Sequence, residues 1–276
     1  MLNKLMKPVF NVPGEGAFPF IMGIISGYPV GAKIVADFKK QGLCSDIEAE
    51  RLIAFTNNSG PLFIIGTVGI GLFKDTKTGI LLLITHIFAC ITVGILFRWW
   101  KNSKNKRSTS FIETSNKLPS RISLSNLGEV LASSIMNSIS TIFLIGGFVV
   151  LFSVVISILN SSGCLELISS FLSPIFKTFG IPSKYIKGIV IGLIELTNGV
   201  CSIALIASKN ISTNIIICAF LLGFGGISVA LQVLSITSKN GISIKPYLLG
   251  KFLQGCFAAL YTYLILNNFC FLNLDL

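Results

Sequence analysis

Residues Gly79 to Trp100, GILLLITHIFACITVGILFRWW, decide the fold. From Gly79 to Phe97 the run holds no Asp, Glu, Lys or Arg. Wound as a helix at about 1.5 Å per residue, roughly 20 such residues cross a hydrocarbon layer about 30 Å thick. Trp99 and Trp100, followed by Lys101, set aromatic rings at headgroup depth with positive charge beyond, which marks a cytoplasmic boundary. The rest of the chain is of the same kind. Of 276 residues, 52% are hydrophobic and 12% are charged, too few charges to coat a water-soluble globule. The reading is an all-α polytopic membrane protein with about seven or eight membrane segments and broken or re-entrant helices. Clear spans run over Ile139–Leu159 and Leu248–Phe269. Shorter or interrupted runs cover Ala17–Ser26, Leu62–Phe73, Leu165–Phe176, Ile186–Ser208 and Ile215–Ile236.

The formal charge of +11 points to cytoplasmic loops rather than to nucleic acid, because basic residues collect on the inner face of membrane proteins. Residues 101–126 hold Lys101, Lys104, Lys106, Arg107, Lys117 and Arg121 against the single Glu113, as expected for a basic cytoplasmic linker. It divides the chain into 1–100 and 127–276. Leu127–Asn137, just after it, is expected to lie along the membrane surface. Cys44, Cys90, Cys164, Cys201, Cys218, Cys256 and Cys270 are scattered without a C-x-x-C pair, and His86 is the sole histidine. Neither pattern makes a metal or redox site, and no cofactor is expected. His86 reads as a hydrogen-bonded core residue or a proton relay. Ser45 with Glu48 reads as a capping box opening a helix through Asp46–Arg51.

The halves align on each other. Pro13 and Pro182, Gly23 and Gly192, Phe55 and Phe224, Ser59 and Ser228, and Phe88 and Phe257 all pair at one constant spacing, with no gap between them. Pro8 meets Pro174 after a shift of three. With the linker inside, the 79–100 span ends inside and its counterpart 248–269 ends outside. This is an inverted-topology repeat, an architecture of secondary transporters. In this register 1–100 is a first repeat without the leading span that 127–276 has, as expected of an amino-terminal truncation or of a true start that lies upstream. Met1 to Asn11 lacks the form of a cleavable signal.

The chemistry should lie where the apolar runs break. Ser26–Gly31 falls opposite Glu195–Val200, and Thr56–Pro61 opposite Gly225–Ala230. A broken helix bares N–H and C=O groups that lipid cannot satisfy, so breaks face a cavity or pack closely inside the bundle. Two breaks at equivalent places in each half favour a midplane solute site. Pro61 disfavours helix just before it, so the helix through Phe55 should end near Asn58. Asn57, Asn58 and Ser59 then offer amides and a hydroxyl, and Gly225 and Gly226 bare backbone that a ligand can approach. Tyr28, Gly31, Asn198, Ser228 and Gln232 complete the candidate lining, with Gln232 and Gln254 equally able to bridge helices. Glu195, a carboxylate within an apolar run, reads as a coupling or gating group or as a hydrogen-bonded structural carboxyl. Lys33 either neutralises it, attracts an anion, or extends to the interface. The partners implied are a small anionic solute, the lipid bilayer and a coupling proton or sodium ion. Enzyme motifs are lacking: Gly23–Gly27 has the wrong spacing for a nucleophile elbow, and no Walker A sequence occurs.

Two stretches carry a resemblance: PVFNVPGEGAFPFIMGIISGYPVGAKI (Pro8–Ile34) and IEAERLIAFTNNSGPLFIIGTVGIG (Ile47–Gly71). With ELTNG (Glu195–Gly199) and GFGGIS (Gly223–Ser228), the chain resembles the YlbJ-type sporulation integral membrane proteins of the nucleoside-recognition, or Gate, superfamily. The resemblance implies a multi-spanning protein of the outer forespore membrane that moves dipicolinic acid during sporulation. A non-transporting membrane scaffold or assembly factor for spore maturation is the rival expectation.

Overall fold

Where an apolar run is broken decides whether it crosses a bilayer or turns back. The computed structural model describes residues 3–101, 127–178, 180–208 and 211–268. Among them it contains helices and no strand. Beyond Lys101 the basic linker lies outside these residues, as do Lys209 and the tail from Phe269 on, which holds Cys270 and Asp275.

The first half runs α1 (Asn3–Phe10), a 3-10 turn (Gly14–Gly16), α2 (Ala17–Ser26), α3 (Val30–Lys40) and α4 (Asp46–Thr56). A π-helical segment (Leu62–Leu72) and α5 (Thr76–Phe97) follow. After α6 (Leu127–Ser161) and α7 (Cys164–Thr178), the second half runs through a 3-10 turn (Ser183–Tyr185), α8 (Ile186–Ile194), α9 (Leu196–Ala204), α10 (Ile211–Phe224), α11 (Gly226–Thr237) and α12 (Lys245–Asn268). The same succession recurs. Gly14, Ala17 and Thr76 begin elements, and so do Ser183, Ile186 and Lys245, each at the spacing that separates Pro13 from Pro182.

In each half the first pair of helices folds back on itself. A Cβ added to Gly23 would lie 3.5 Å from Gly31 Cα, and one added to Gly199 only 2.0 Å from Gly192 Cα. Thus α2 packs antiparallel on α3, and α8 on α9. Helices of nine to eleven residues are about 15 Å long, half a bilayer, so these hairpins enter without crossing. This corrects the expected crossing count. Among the described residues four helical stretches are long and apolar enough to span: Thr76–Phe97, Leu127–Ser161, Ile211–Asn240 and Lys245–Asn268. The pair Lys4–Phe10 and Gly14–Ser26, bent by 86°, would make a fifth. Leu127–Asn137 is likewise not a separate segment but the first turns of the 35-residue α6.

The halves interlock. One apolar cluster joins Phe10, Val35 and Phe55 to Val233 and Tyr247; another joins Ile64 and Leu82 to Leu196, Leu221 and Ala258. Local chemistry fixes several ends. Ser45 and Glu48 form the capping box of α4. Asp75 accepts from Lys77 N (3.1 Å) and Thr78 N (2.7 Å) to start α5. Arg51 donates to Asn11 O (2.8 Å) and Trp100 O (2.9 Å), while Trp100 Nε1 donates to Glu50 (2.8 Å). Trp99 is exposed, whereas Trp100 is tied into the protein. By contrast, α6 buries only Ile156 and leaves an apolar surface fit for lipid.

Candidate functional site

The break after α4 is built around unpaired carbonyls. Pro61 begins the π-helical segment, and the chain is extended at Asn57 (φ −98°, ψ 94°). The last carbonyls of α4 therefore lack helical donors. Phe55 O accepts from Asn58 Nδ2 (2.8 Å) and Cys90 Sγ (3.1 Å). Thr56 O presses on Gly23 and Gly31, where an added Cβ would lie 1.7 Å and 2.1 Å from it. Gly27 (φ 80°), at the tip of the α2–α3 hairpin, rests on Gly60. Hairpin tip and break thus meet through bare backbone.

The second half repeats this contact with different chemistry. Glu195 turns α8 into α9 and caps the latter, its carboxylate accepting from Thr197 N (3.0 Å) and Asn198 N (2.8 Å). Asn198 Nδ2 reaches both Glu195 Oε2 (2.9 Å) and Ser153 on α6 (2.8 Å). The break between α10 and α11 is made by two successive glycines of positive φ, Gly225 (85°) and Gly226 (79°). Gly226 lies against the hairpin tip, its added Cβ 3.3 Å from Leu196 N. No described residue forms an ion pair with Glu195.

The breaks then join across the halves. Ser59 Oγ donates to Leu222 O on α10 (3.4 Å). Asn58 Oδ1 accepts from Gln254 Nε2 on α12 (2.8 Å), which also lies 3.3 Å from His86 Nε2 on α5. Lys251, one turn before Gln254, donates to its Oε1 (2.8 Å) and to Asn57 O (3.1 Å). Asn57 Nδ2 lies 3.5 Å from Tyr247 OH. All of these polar side chains are buried. Thr56 Oγ1, Asn57 Oδ1, His86 Nδ1, Ser228 Oγ and Gln232 Oε1 are buried without a hydrogen-bond partner among the described residues.

Of the residues singled out from sequence, Asn57, Asn58 and Ser59 meet α10 and α12 directly. Gly31 is a packing contact under Thr56 O, and Gly225 and Gly226 shape the second break. Tyr28 packs against the apolar cluster that holds Leu196 and Leu221. Ser228 and Gln232 are buried on α11, which packs against α3 and α8. Lys33 is directed elsewhere: its Nζ donates to Thr141 on α6. His86 occupies the hydrogen-bonded core position. Sequence reasoning missed Lys251. It sits inside the apolar Leu248–Phe269 run, three residues before Gln254 and so on the same helix face, and a lysine there was the available signal.

Buried discontinuous helices, fold-back hairpins and apolar spans define an all-α integral membrane protein. The comparisons agree. Residues 142–241 match the family model for nucleoside recognition, Gate. Over 277 aligned residues the chain is 34% identical to sporulation integral membrane protein YlbJ of Bacillus subtilis (strain 168), covering 96% of this chain and 67% of that protein. The chain belongs to the YlbJ family of sporulation integral membrane proteins. No solved structure matches it.

Proposed function

We propose that this protein moves a small anionic metabolite, dipicolinic acid, across the outer forespore membrane during sporulation, by alternating access about the four breaks. The observation that carries the reading is the junction of Asn57–Ser59 with Leu222, Lys251 and Gln254. Helix-breaking backbone from one half is joined there to side chains and carbonyls of the other, beside buried polar atoms that have no partner among the described residues. Such atoms are costly to leave unmatched in a dry interior, and a polar solute relieves them. The recurring element order supports two repeats moving against each other, and the inverted orientation inferred from loop charge suits that motion.

Glu195 fits a gating role in this scheme. Its carboxylate holds the first turn of α9, so loss of these two contacts would weaken the cap and loosen the second hairpin tip. Lys33 then serves the packing of α6 rather than the solute.

The test is uptake of labelled dipicolinate by the full-length protein in liposomes under proton and sodium gradients. Uptake that disappears on replacing Asn57 and Asn58 by leucine, with the protein still folded in the membrane, supports the site. Unchanged uptake removes it. A folded wild type that takes up nothing under any gradient favours the scaffold reading, for which the lipid-facing length of α6 offers an assembly surface.

A further inference from the structure

Lys251 is a buried lysine with no counter-ion among the described residues. Its ammonium carries three N–H donors and no acceptor. Two are used, on Asn57 O and Gln254 Oε1, and no described residue accepts the third.

The lysine also orients the groups around it. Because it can only donate, the Gln254 oxygen must face it, which leaves the Gln254 amide nitrogen to donate to Asn58 Oδ1 and toward His86 Nε2. His86 Nε2 is then the acceptor, so in the neutral ring the proton lies on Nδ1. That atom is buried and unpartnered. Among the described residues this chain of bonds therefore ends in two unused donors, Lys251 Nζ and His86 Nδ1, against one unused acceptor, Asn57 Oδ1. An excess of donors around a positive charge matches an anion and mismatches a neutral or cationic solute.

We propose that Lys251 is the anion anchor of the solute site, binding a carboxylate group of the transported molecule, with Gln254 as the residue that holds it in position. This deepens the transport reading and rests on it. The arrangement has no copy in the other repeat: the positions equivalent to Lys251, Gln254 and His86 are Leu82, Thr85 and Gly255. The site is therefore one-sided, formed by α12 against the break after α4. Its occupant is an organic carboxylate or a small inorganic anion, which share this chemistry.

The experiment measures equilibrium binding of labelled dipicolinate to the full-length protein in lipid nanodiscs, with pyridine-2,6-dicarboxamide and chloride as competitors. The wild type should bind dipicolinate and ignore the uncharged diamide. Lys251→Met should weaken binding at least about tenfold, the scale of a charge-assisted hydrogen bond, and Lys251→Arg should recover part of it. Should Lys251→Met not fold, Gln254→Glu replaces it. A carboxylate at that position gives the ammonium an internal counter-ion, so binding should fall similarly with the charge of Lys251 intact.

Wild-type affinity in either folded variant, or equal competition by the diamide, overturns the anchor and leaves the transport reading standing. Binding of radiolabelled chloride by the folded wild type, measured in the same nanodiscs, without dipicolinate binding keeps the anion site but assigns it to an inorganic ion and removes dipicolinate as solute. No binding of any of these anions by the folded wild type overturns both.

Discussion

Replacing Gln254 by leucine tests whether the halves are held together by side chains at the breaks. The change removes three contacts: Lys251 Nζ to Oε1 (2.8 Å), Nε2 to Asn58 Oδ1 (2.8 Å), and Nε2 to His86 Nε2 (3.3 Å). Leucine nearly fills the volume, so the loss is chiefly polar. Two magnitudes compete. In water-soluble interiors each stranded buried group costs about 1–3 kcal/mol, which would sum to roughly 5 kcal/mol here. Interhelical hydrogen bonds in membranes average about 0.6 kcal/mol, because groups in the unfolded membrane state also find partners. The 3.3 Å contact is the weakest, and Lys251 retains Asn57 O. The lower scale, summed over three contacts, therefore governs, and a loss of about 2 kcal/mol is expected. The assay is thermal or denaturant unfolding of the protein in detergent for Gln254→Leu, Asn58→Leu and the double variant. Because the two side chains bond directly, the double variant should depart from additivity by about 0.5–1.5 kcal/mol. Additivity within about 0.3 kcal/mol, the behaviour of independent sites, would refute the junction, whatever the single variants do.

The other expectations are more local. Gly31→Ala places a Cβ 2.1 Å from Thr56 O, a backbone atom that moves only with α4, so destabilisation of about 3 kcal/mol is expected in the same unfolding assay. Gly42→Ala is the comparison, since a Cβ there meets nothing within 4 Å and only the φ of 71° opposes it. Glu195→Gln keeps shape but offers one acceptor oxygen instead of two, so one capping bond weakens and stability falls by about 1 kcal/mol. If Glu195 gates transport, the same variant flattens the pH dependence of uptake; an unaltered pH profile confines the residue to capping. Partial burial pushes the Asp75 carboxyl up, but the hydrogen bonds from Thr78 and Lys77 outweigh it and hold the group below its ordinary value. A depressed folded pKa contributes stability that is present above about pH 4 and lost as pH falls through the folded value. Asp75→Ala should remove about 1 kcal/mol at neutral pH together with that acid-side dependence, read from unfolding midpoints across pH.

Much of this protein was legible in its residues because lipid imposes a one-dimensional rule. Apolar length sets what can cross, so the runs read as Gly79–Trp100, Ile139–Leu159 and Leu248–Phe269 each mark one of the spanning helices Thr76–Phe97, Leu127–Ser161 and Lys245–Asn268. Local chemistry was equally direct: Ser45 with Glu48 gave the capping box, and Pro61 with Asn57 and Asn58 marked the end of α4. The even spacing of matching residues anticipated elements that start at equivalent places in the two halves. What a run does at a break was not legible. Ala17–Ser26 and Ile186–Ile194 carry enough apolar character to suggest spans, yet Gly23 against Gly31 and Gly192 against Gly199 allow the helices to double back. The cost of a Cβ depends on the neighbour across the turn, which no local pattern contains.

The sequence by itself settled solvent, helix content, both ends of α4 and the positions of the breaks, since each depends on residues near in the chain. Only the tertiary structure decided that Asn58 meets Gln254 across 196 residues, that Lys33 turns to Thr141, and that Lys251 stands buried beside Asn57. Hydrogen bonds act over about 3 Å, whereas an amphipathic or apolar pattern says only which face is turned inward. The partner it finds there is set by how the two halves interlock.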